Sequence, residues 1–210
     1  MNEQIFTQPF DLSQSCDVGL EAAETYIRAA QRRLKHDRAA GLAALDDIFR
    51  CGHAPRPAPD GRHRGELVAL DLAPGLNGLL GGLTERWLPW QGKVFDAANA
   101  RGDNIFTRDA YTPGRVLWPF YRGYRDDGPA TYRAFDFRTS VGPSRQDADL
   151  DVLRLDYNLP TNPRAIITIR RVLDELVQVA DGYYLGKAYV RWYWGSWSMV
   201  AYFALRPASQ

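Results

Sequence analysis

The sequence predicts a mainly β protein of the α+β class, with helices at its N-terminal end and one antiparallel barrel of roughly eight strands. Asp181-Gly182 separates two runs rich in β-branched, aromatic and leucine residues, and Asp-Gly is a strong hairpin signal. Gly195-Ser196 marks a second turn, so three antiparallel strands are predicted over 172–180, 183–192 and 197–205. The last of them is apolar on both faces, which predicts that it is buried on both sides.

The segment before the strands is predicted to be helical. Apolar residues recur at three- and four-residue steps between Val18 and Arg50, which indicates two helices over 18–38 and 42–50. Each apolar stripe is narrow, so each helix covers a surface, either the barrel wall or a second subunit of a homodimer. A proline-rich linker over 51–64 follows. The chain therefore divides into a helical extension with its linker, 1–64, and a barrel domain, 65–210.

Further strands are predicted between the linker and the C-terminal hairpins, because short runs of β-forming residues alternate there with turn residues. A short helix over 77–87 interrupts them. The predicted strands cover 65–72, 93–96, 104–107, 131–141, 151–157 and 165–171. With the three C-terminal strands they form a barrel of a size that can hold one small ligand.

The bulk composition narrows the classes of function. A chain of 210 residues is long enough for one domain with a full core plus an extension. Aromatic residues make up 12% of it, which favours strands and an aromatic-lined pocket. The net charge of +1 provides no field of one sign, so neither nucleic acid nor an anionic membrane is an expected partner.

The expected compartment is the cytoplasm. The N-terminal residues do not resemble a signal peptide, and no stretch reaches the roughly 20 apolar residues that span a bilayer. Two cysteines do not make a disulfide framework. No metal or other cofactor is predicted, since Cys51, His53 and His63 are too few for a zinc site. All three histidines fall outside the predicted strands, where a haem-binding barrel would carry its axial ligand.

Four short motifs between Asp46 and Asp96 carry a resemblance to a known family. They are Asp46-Asp47-Ile48-Phe49, Gly61-Arg62-His63-Arg64-Gly65, Leu76-Asn77-Gly78-Leu79-Leu80 and Trp90-Gln91-Gly92-Lys93-Val94-Phe95-Asp96. Through them the segment resembles bacterial proteins of the GXWXG family, although His63 stands where that family has Trp. The run D-G-Y-Y-L-G-K-A from Asp181 resembles lipocalin-like bacterial barrels. Both resemblances imply a barrel with a hydrophobic pocket and no defined reaction.

The candidate ligand site lies on strand faces that mix aromatic residues with one or two charges, as ligand pockets do. The alternative is that these charges form the wet outer face of the barrel. Asp156 is expected inside, at a barrel mouth, where a buried carboxylate can act as an acid or a base. It is the candidate catalytic residue if the protein is an enzyme. The candidate ligand-binding residues are Lys93, Phe135, Arg154, Asp156, Tyr184, Lys187, Tyr202 and Phe203.

Two further expectations concern the last two strands. Their small residues are expected to leave an apolar cavity that the neighbouring aromatic side chains do not fill; these are Gly186, Ala188, Ala201 and Ala204. Three tryptophans flank the second turn and form either a rim of the pocket or a plug of the barrel end; these are Trp192, Trp194 and Trp197.

Three functions remain open at this point. The first is a barrel that binds a hydrophobic small molecule, and the second is a cofactor-independent isomerase or cyclase on the same barrel. The third is an interaction module that binds an acidic partner through the basic residues Arg28, Arg32, Arg33, Lys35 and Arg38. A cavity well above ~300 Å³ favours the first two, and a filled interior favours the third. A cavity carboxylate with no cation beside it favours the enzyme over the binding protein.

Overall fold

The computed structural model describes residues 19–71, 89–164 and 169–208. Two helices come first, α1 (Leu20–Leu34) and α2 (Arg38–Cys51), and a third, α3 (Tyr111–Leu117), follows the third strand. The strands are β1 (Gly61–Leu70), β2 (Trp90–Asp96), β3 (Arg101–Thr107), β4 (Arg125–Asp126), β5 (Thr131–Pro143), β6 (Asp151–Asp156), β7 (Val172–Ala180), β8 (Tyr183–Arg191) and β9 (Trp197–Pro207). Short 3₁₀ helices cover Arg108–Ala110 and Ile169–Arg171.

Eight of these strands form a closed antiparallel barrel. Each long strand pairs with the next one along the chain, and β5 follows β3 around the wall. Pairing of β1 with β9 closes the ring, and the two-residue strand β4 is added at the edge of β5. The predicted fold class is therefore confirmed, with an antiparallel barrel preceded by N-terminal helices.

Most predicted elements are present, and two of them differ from the prediction. The three C-terminal strands form as predicted, and Gly182 adopts the positive φ of 63° that the hairpin turn between β7 and β8 requires. The first strand begins at Gly61, inside the predicted linker, because His63 already alternates inward there. The predicted strand over 165–171 is wrong for Ile169–Arg171, which form a 3₁₀ helix. Residues 165–168 and the helix predicted over 77–87 lie outside the described residues.

Helices α1 and α2 cover the outer wall of the barrel. Their apolar faces, which include Ile27, Leu45 and Phe49, pack in one cluster with outward-facing residues of the strands such as Leu185 and Tyr202. The Asp37 carboxylate accepts a hydrogen bond from the Ala40 N–H at 2.9 Å and so caps the start of α2. This packing explains why β9 is apolar on both faces. The same packing buries the apolar helix faces that were considered for contact with a second subunit. Among the described residues no helix is long and apolar enough to cross a membrane.

Aromatic rings lie directly against glycines on the inner wall. A Cβ atom at Gly186 would lie 2.2 Å from Cζ of Phe203, its cross-strand partner on β9. Gly102 is covered in the same way by Phe137, and Gly65 by Trp90. The expectation that Gly186 leaves unfilled room is therefore wrong. Glycine is needed at these positions so that large rings of neighbouring strands can fill the interior.

Substituting Gly92 tests how closely β1 and β2 approach each other. Gly92 has a φ of 138° beside a register shift in β2, and a Cβ atom there would lie 2.0 Å from the His63 carbonyl oxygen. We expect Gly92→Val to lower the free energy of unfolding by at least about 1 kcal/mol, because the chain would be strained and the strands forced apart. Chemical denaturation measures this change.

Gly142→Ala is the matched control, since a Cβ atom at Gly142 would meet its nearest neighbour at an ordinary 3.5 Å. If both variants unfold at the same denaturant concentration as the parent protein, the close approach at Gly92 has no energetic consequence.

Candidate functional site

The two ends of the barrel differ in the connections that they carry. We call the end at which β1, β3, β6 and β8 finish the upper end. Three of the four connections between strands at this end, 71–89, 108–130 and 157–171, contain more residues than any of the turns 97–100, 144–150 and 181–182 at the opposite end. Trp90 begins β2 at the upper end. Long connections at one end of a barrel are where binding residues are commonly placed, because the strands beneath hold them rigidly.

A buried polar cluster lies inside the barrel, and we call it the Lys93 cluster. It consists of Lys93 on β2, Asn104 on β3, Asp174 on β7 and Tyr157, which follows β6. The Lys93 ammonium donates hydrogen bonds to Asn104 Oδ1 at 2.9 Å, to the Tyr157 hydroxyl at 2.6 Å and to Asp174 Oδ2 at 2.8 Å. An ammonium has three protons, so every donor of Lys93 has an acceptor.

Aromatic rings surround the same ammonium. The Lys93 nitrogen lies 5.1 Å from the ring centre of Phe203, 5.3 Å from those of Phe137 and Tyr157, and 5.4 Å from that of Trp90. Each distance is within the range of a cation–π interaction. The side chains of Lys93 and Asp174 are 3% and 5% exposed. The barrel therefore holds an ion pair away from water inside a box of aromatic rings.

The strand register brings the cluster together from opposite walls. Lys93 and Asn104 are direct cross-strand partners on β2 and β3, while Asp174 pairs with Leu155 across β7 and β6. Alternation points all of these side chains inward. The cluster thus connects β2 and β3 to β6 and β7 on the other side of the barrel. These pairs of strands are distant in sequence and face each other only because the barrel is closed.

A bulge in β5 supports the cluster. The register between β3 and β5 shifts between Gly102 and Asn104, and Phe135 adopts a positive φ of 61°. The Asn104 amide donates to the Phe135 carbonyl at 3.1 Å, and the Tyr121 hydroxyl accepts from the Phe135 N–H at 2.7 Å. These side chains replace the ladder bonds that the bulge removes. A large residue in this backbone region is strained, and such strain clusters at functional sites.

Burial shifts the proton affinities of two cluster members. Desolvation lowers the pKa of Lys93, although the nearby Asp174 carboxylate opposes this change. Desolvation, together with the same carboxylate, raises the pKa of Tyr157 well above its usual value. Tyr157 therefore keeps its proton near neutral pH and serves the cluster as a hydrogen-bond donor and acceptor.

His63 is a second titratable group in the interior. Its side chain is buried, and its ring meets those of Phe95 and Tyr184 at centre distances of 5.2 and 5.6 Å. Burial lowers the pKa of His63 below 6.5, against smaller opposing effects of the Gly61 carbonyl and Asp60. The His63 imidazole thus completes an aromatic group in the wall.

Four of the candidate ligand-binding residues lie in the barrel interior. Lys93 is the centre of the polar cluster, and Phe135, Tyr184 and Phe203 belong to the aromatic group around it. Two other candidates do not lie in the interior. Lys187 and Tyr202 lie on the outer face under α2, where the Lys187 ammonium contacts the Asp46 carboxylate and donates to Gln146 at 2.9 Å. Tyr202 precedes Phe203 on β9, and neighbouring residues of a strand must face opposite sides.

Asp156 and Arg154 are also outside the barrel. The expectation that Asp156 lies in the interior is wrong, because it shares the outer, exposed face of β6 with Arg154. The interior carboxylate is Asp174, which the sequence analysis did not single out, and Asn104 and Tyr157 were missed as its partners. One signal existed: Asp174 and Glu175 are adjacent in an otherwise apolar strand, so alternation requires one of them to face inward.

Comparisons of this chain with protein-family models, with curated proteins and with solved structures found no match. The GXWXG and lipocalin-like resemblances therefore remain predictions that rest on the quoted motifs.

The Lys93–Asp174 pair makes a prediction about stability. We expect Lys93→Met alone to lower the free energy of unfolding by about 3–5 kcal/mol, because it leaves the Asp174 carboxylate buried without its cation. The double variant Lys93→Met/Asp174→Leu should recover most of this loss, since an apolar pair needs no desolvation. Denaturant titration of both variants gives the coupling energy. Equal losses in the single and double variants would contradict a buried ion pair.

The buried His63 makes a prediction about pH. Its folded pKa is lower than its unfolded value, so the unfolded chain takes up the proton first as the pH falls. The stabilising contribution is complete above the unfolded pKa and is lost as the pH falls below it, by at most about 1.4 kcal/mol per pH unit. We expect His63→Phe to flatten the dependence of unfolding free energy on pH between about 7 and 5. The exposed His36→Gln variant is the control and should keep the parent slope.

Proposed function

We propose that the barrel binds a small, mostly apolar molecule whose one polar group is uncharged, at the upper end and against the Lys93 cluster. The observation that carries this proposal is the Lys93 ammonium inside its box of four aromatic rings. A few convergent polar groups within an aromatic lining are the usual composition of a small-molecule site.

The energetic cost of the cluster supports a functional role. A buried ion pair is commonly no more stable than a well-packed apolar pair, and often less stable by about 1–4 kcal/mol. The rest of the interior is apolar and aromatic, so a solid core would need no charge at this place. Titratable groups whose pKa is shifted by burial and by a specific charged partner are candidates for a functional site.

The charges of the cluster indicate the chemistry of the ligand. Asp174 neutralises Lys93 at 2.8 Å, so the site has no net charge with which to attract an anion. Lys93 and Tyr157 supply the proton donors, which suit a carbonyl or hydroxyl oxygen. Because all three Lys93 protons are already bonded, the ligand oxygen must take over one of these bonds.

The half-buried Trp90 indicates where that exchange takes place. Its indole N–H donates to Asn104 Oδ1 at 3.1 Å, the same atom that accepts from Lys93. Trp90 starts β2 at the upper end, so a molecule arriving there meets its ring before it meets the ammonium. In the proposed complex the ligand oxygen replaces Asn104 Oδ1 on Lys93, and the Trp90 ring packs against the apolar part of the ligand.

The rings that fill the interior favour the interaction module, but the charges of the chain argue against both other functions. An acid–base enzyme would favour a carboxylate with no cation beside it, whereas Asp174 is paired with Lys93. The basic residues considered for an interaction module are partly neutralised, since Arg28 pairs with Glu24 at 3.1 Å and Arg38 with Asp71 at 3.0 Å. Paired surface charges of this kind belong to a solvated face.

Binding of Nile red tests the proposal, because this dye is uncharged, carries a carbonyl and fluoresces more strongly in apolar surroundings. We expect the protein to bind it, and Lys93→Met/Asp174→Leu to weaken binding at least tenfold, equivalent to the roughly 1.4 kcal/mol that one charge-assisted hydrogen bond supplies. Native mass spectrometry of protein purified from its own host should reveal a retained neutral ligand that the double variant lacks.

The matched control is Lys187→Met/Asp46→Leu, which removes the other buried lysine pair on the outer side of the same wall. Its affinity for the dye should equal that of the parent protein. Equal affinities of all three proteins, or no binding by the parent, would overturn the proposal.

A further inference from the structure

A cleft of about 640 Å³ lies outside the barrel, on the wall formed by β6, β7 and β8 and beside the turn between β8 and β9. It is separate from the Lys93 cluster, which faces the interior. Six arginines line it, together with the single acidic residue Asp156; they are Arg145, Arg154, Arg164, Arg170, Arg171 and Arg191. The net charge of the chain is only +1, so the fold concentrates positive charge at this place.

Within the described residues, the arginines of the cleft have no ion-pair partner. None of the six guanidinium groups forms an ion pair with a carboxylate of a described residue. Several arginines elsewhere on the surface, such as Arg62 with Asp127 and Arg108 with Asp126, do form ion pairs. Arg154 also has a buried Nε atom without a hydrogen-bond partner. The same guanidinium donates to the Pro143 carbonyl, so the exposed parts of the arginines, and not this buried atom, are what an anion would contact.

Flat aromatic surfaces stand beside the arginines. The Arg145 guanidinium lies 4.2 Å from the ring centre of Trp197, and that of Arg171 lies 4.2 Å from the ring centre of Tyr193. Trp192 and Trp194 stack with ring centres 5.3 Å apart and planes only 4° from parallel. Trp194 does not line the cleft itself, but it stacks on the lining residue Trp192 and is 75% exposed, so its outer ring face is open to a further planar group at the edge of the cleft.

Local hydrogen bonds hold these aromatic residues in place. The turn is closed by a hydrogen bond from the Trp192 N–H to the Ser196 carbonyl at 2.8 Å, and Gly195 supplies a positive φ of 96°. The Trp192 indole donates to the Ser198 hydroxyl at 2.8 Å, and Arg171 donates to the Trp192 carbonyl at 2.9 Å. The aromatic edge of the cleft is thus fixed before any ligand arrives, which lowers the entropic cost of binding.

From these observations we infer that the cleft binds a phosphorylated ligand with a planar ring, namely a nucleotide, either free or within a single strand. Guanidinium groups match phosphate oxygens in a two-pronged geometry, so unpaired arginines select phosphate. Exposed tryptophan and tyrosine rings beside a basic groove stack on bases. Asp156 is placed to accept a hydrogen bond from a ribose hydroxyl or a base amino group, which inorganic phosphate does not offer.

An anionic lipid membrane also presents phosphate groups, but its surface does not have the shape of a ligand that enters the cleft. A lipid bilayer is flat, and it binds protruding groups, whereas these arginines line a concave cleft. The cleft therefore favours a ligand that enters it. The net charge of the whole chain led to the expectation that it has no polyanionic partner. The net charge does not show where the fold places individual charges, and in this cleft the positive ones are concentrated.

Three ligands separate the possibilities in titrations at low and moderate salt: adenosine triphosphate, a short fluorescein-labelled oligoadenylate and inorganic pyrophosphate. We expect binding of the mononucleotide or the oligonucleotide, weakened by salt because phosphate contacts release counterions. Whichever of the two binds more tightly identifies the source of the nucleotide. Arg145→Gln/Arg154→Gln should weaken binding at least tenfold, and Trp194→Ala should weaken nucleotide binding but not pyrophosphate binding.

The control variant Arg28→Gln/Arg38→Gln removes the same number of positive charges from the helices and should bind as the parent does. The inference is overturned if neither nucleotide binds, if pyrophosphate binds as tightly as both of them, or if the two double variants lose equal affinity. Binding to vesicles of anionic phospholipid without nucleotide binding would overturn it as well and would assign the cleft to a membrane surface.

Discussion

The interior of this protein depends on one interaction, the ion pair between Lys93 and Asp174 across the barrel. An ammonium cannot remain charged away from water without partners, and each partner constrains an element of the fold. The contact with Asp174 requires this residue of β7 to face the interior, and the contact with Asn104 requires the same of β3. The contact with Tyr157 fixes the position of the chain just after β6. Asn104 also holds the Phe135 carbonyl at the bulge, so the strained backbone of β5 is supported by the same cluster.

The two sides of the barrel wall separate two kinds of chemistry. The inner side has an electrically neutral polar cluster among aromatic rings, which suits an uncharged ligand. The outer side has a second buried lysine, Lys187, whose pairing with Asp46 fastens α2 to the wall. Farther along the same outer surface the arginine-lined cleft is positively charged and open. The closed sheet keeps these environments apart, because each strand residue can face only one side.

The candidate site could be predicted only in part, and strand alternation explains both results. Phe135, Tyr184 and Phe203 were recognised as interior residues because large aromatics in an apolar strand favour a core position. Asp156 and Lys187 were placed on the wrong side, because alternation says which residues share a face but not which face is inside. The bulge at Phe135 makes the inward-facing residues of β5 harder to predict, because it shifts the alternation within the strand. No sequence pattern indicated this bulge.

The sequence by itself determined the local structure: the hairpin at Asp181-Gly182, the alternating strands, the amphipathic helices and the glycine at position 92. These features depend on neighbours within a few residues, and the energies that select them are local. The tertiary structure alone decided that α1 and α2 cover the outer wall, that Lys93 meets an aspartate 81 residues away, and that six arginines meet in one cleft. Contacts between distant residues arise only when the barrel closes, because closure sets which face of every strand is enclosed.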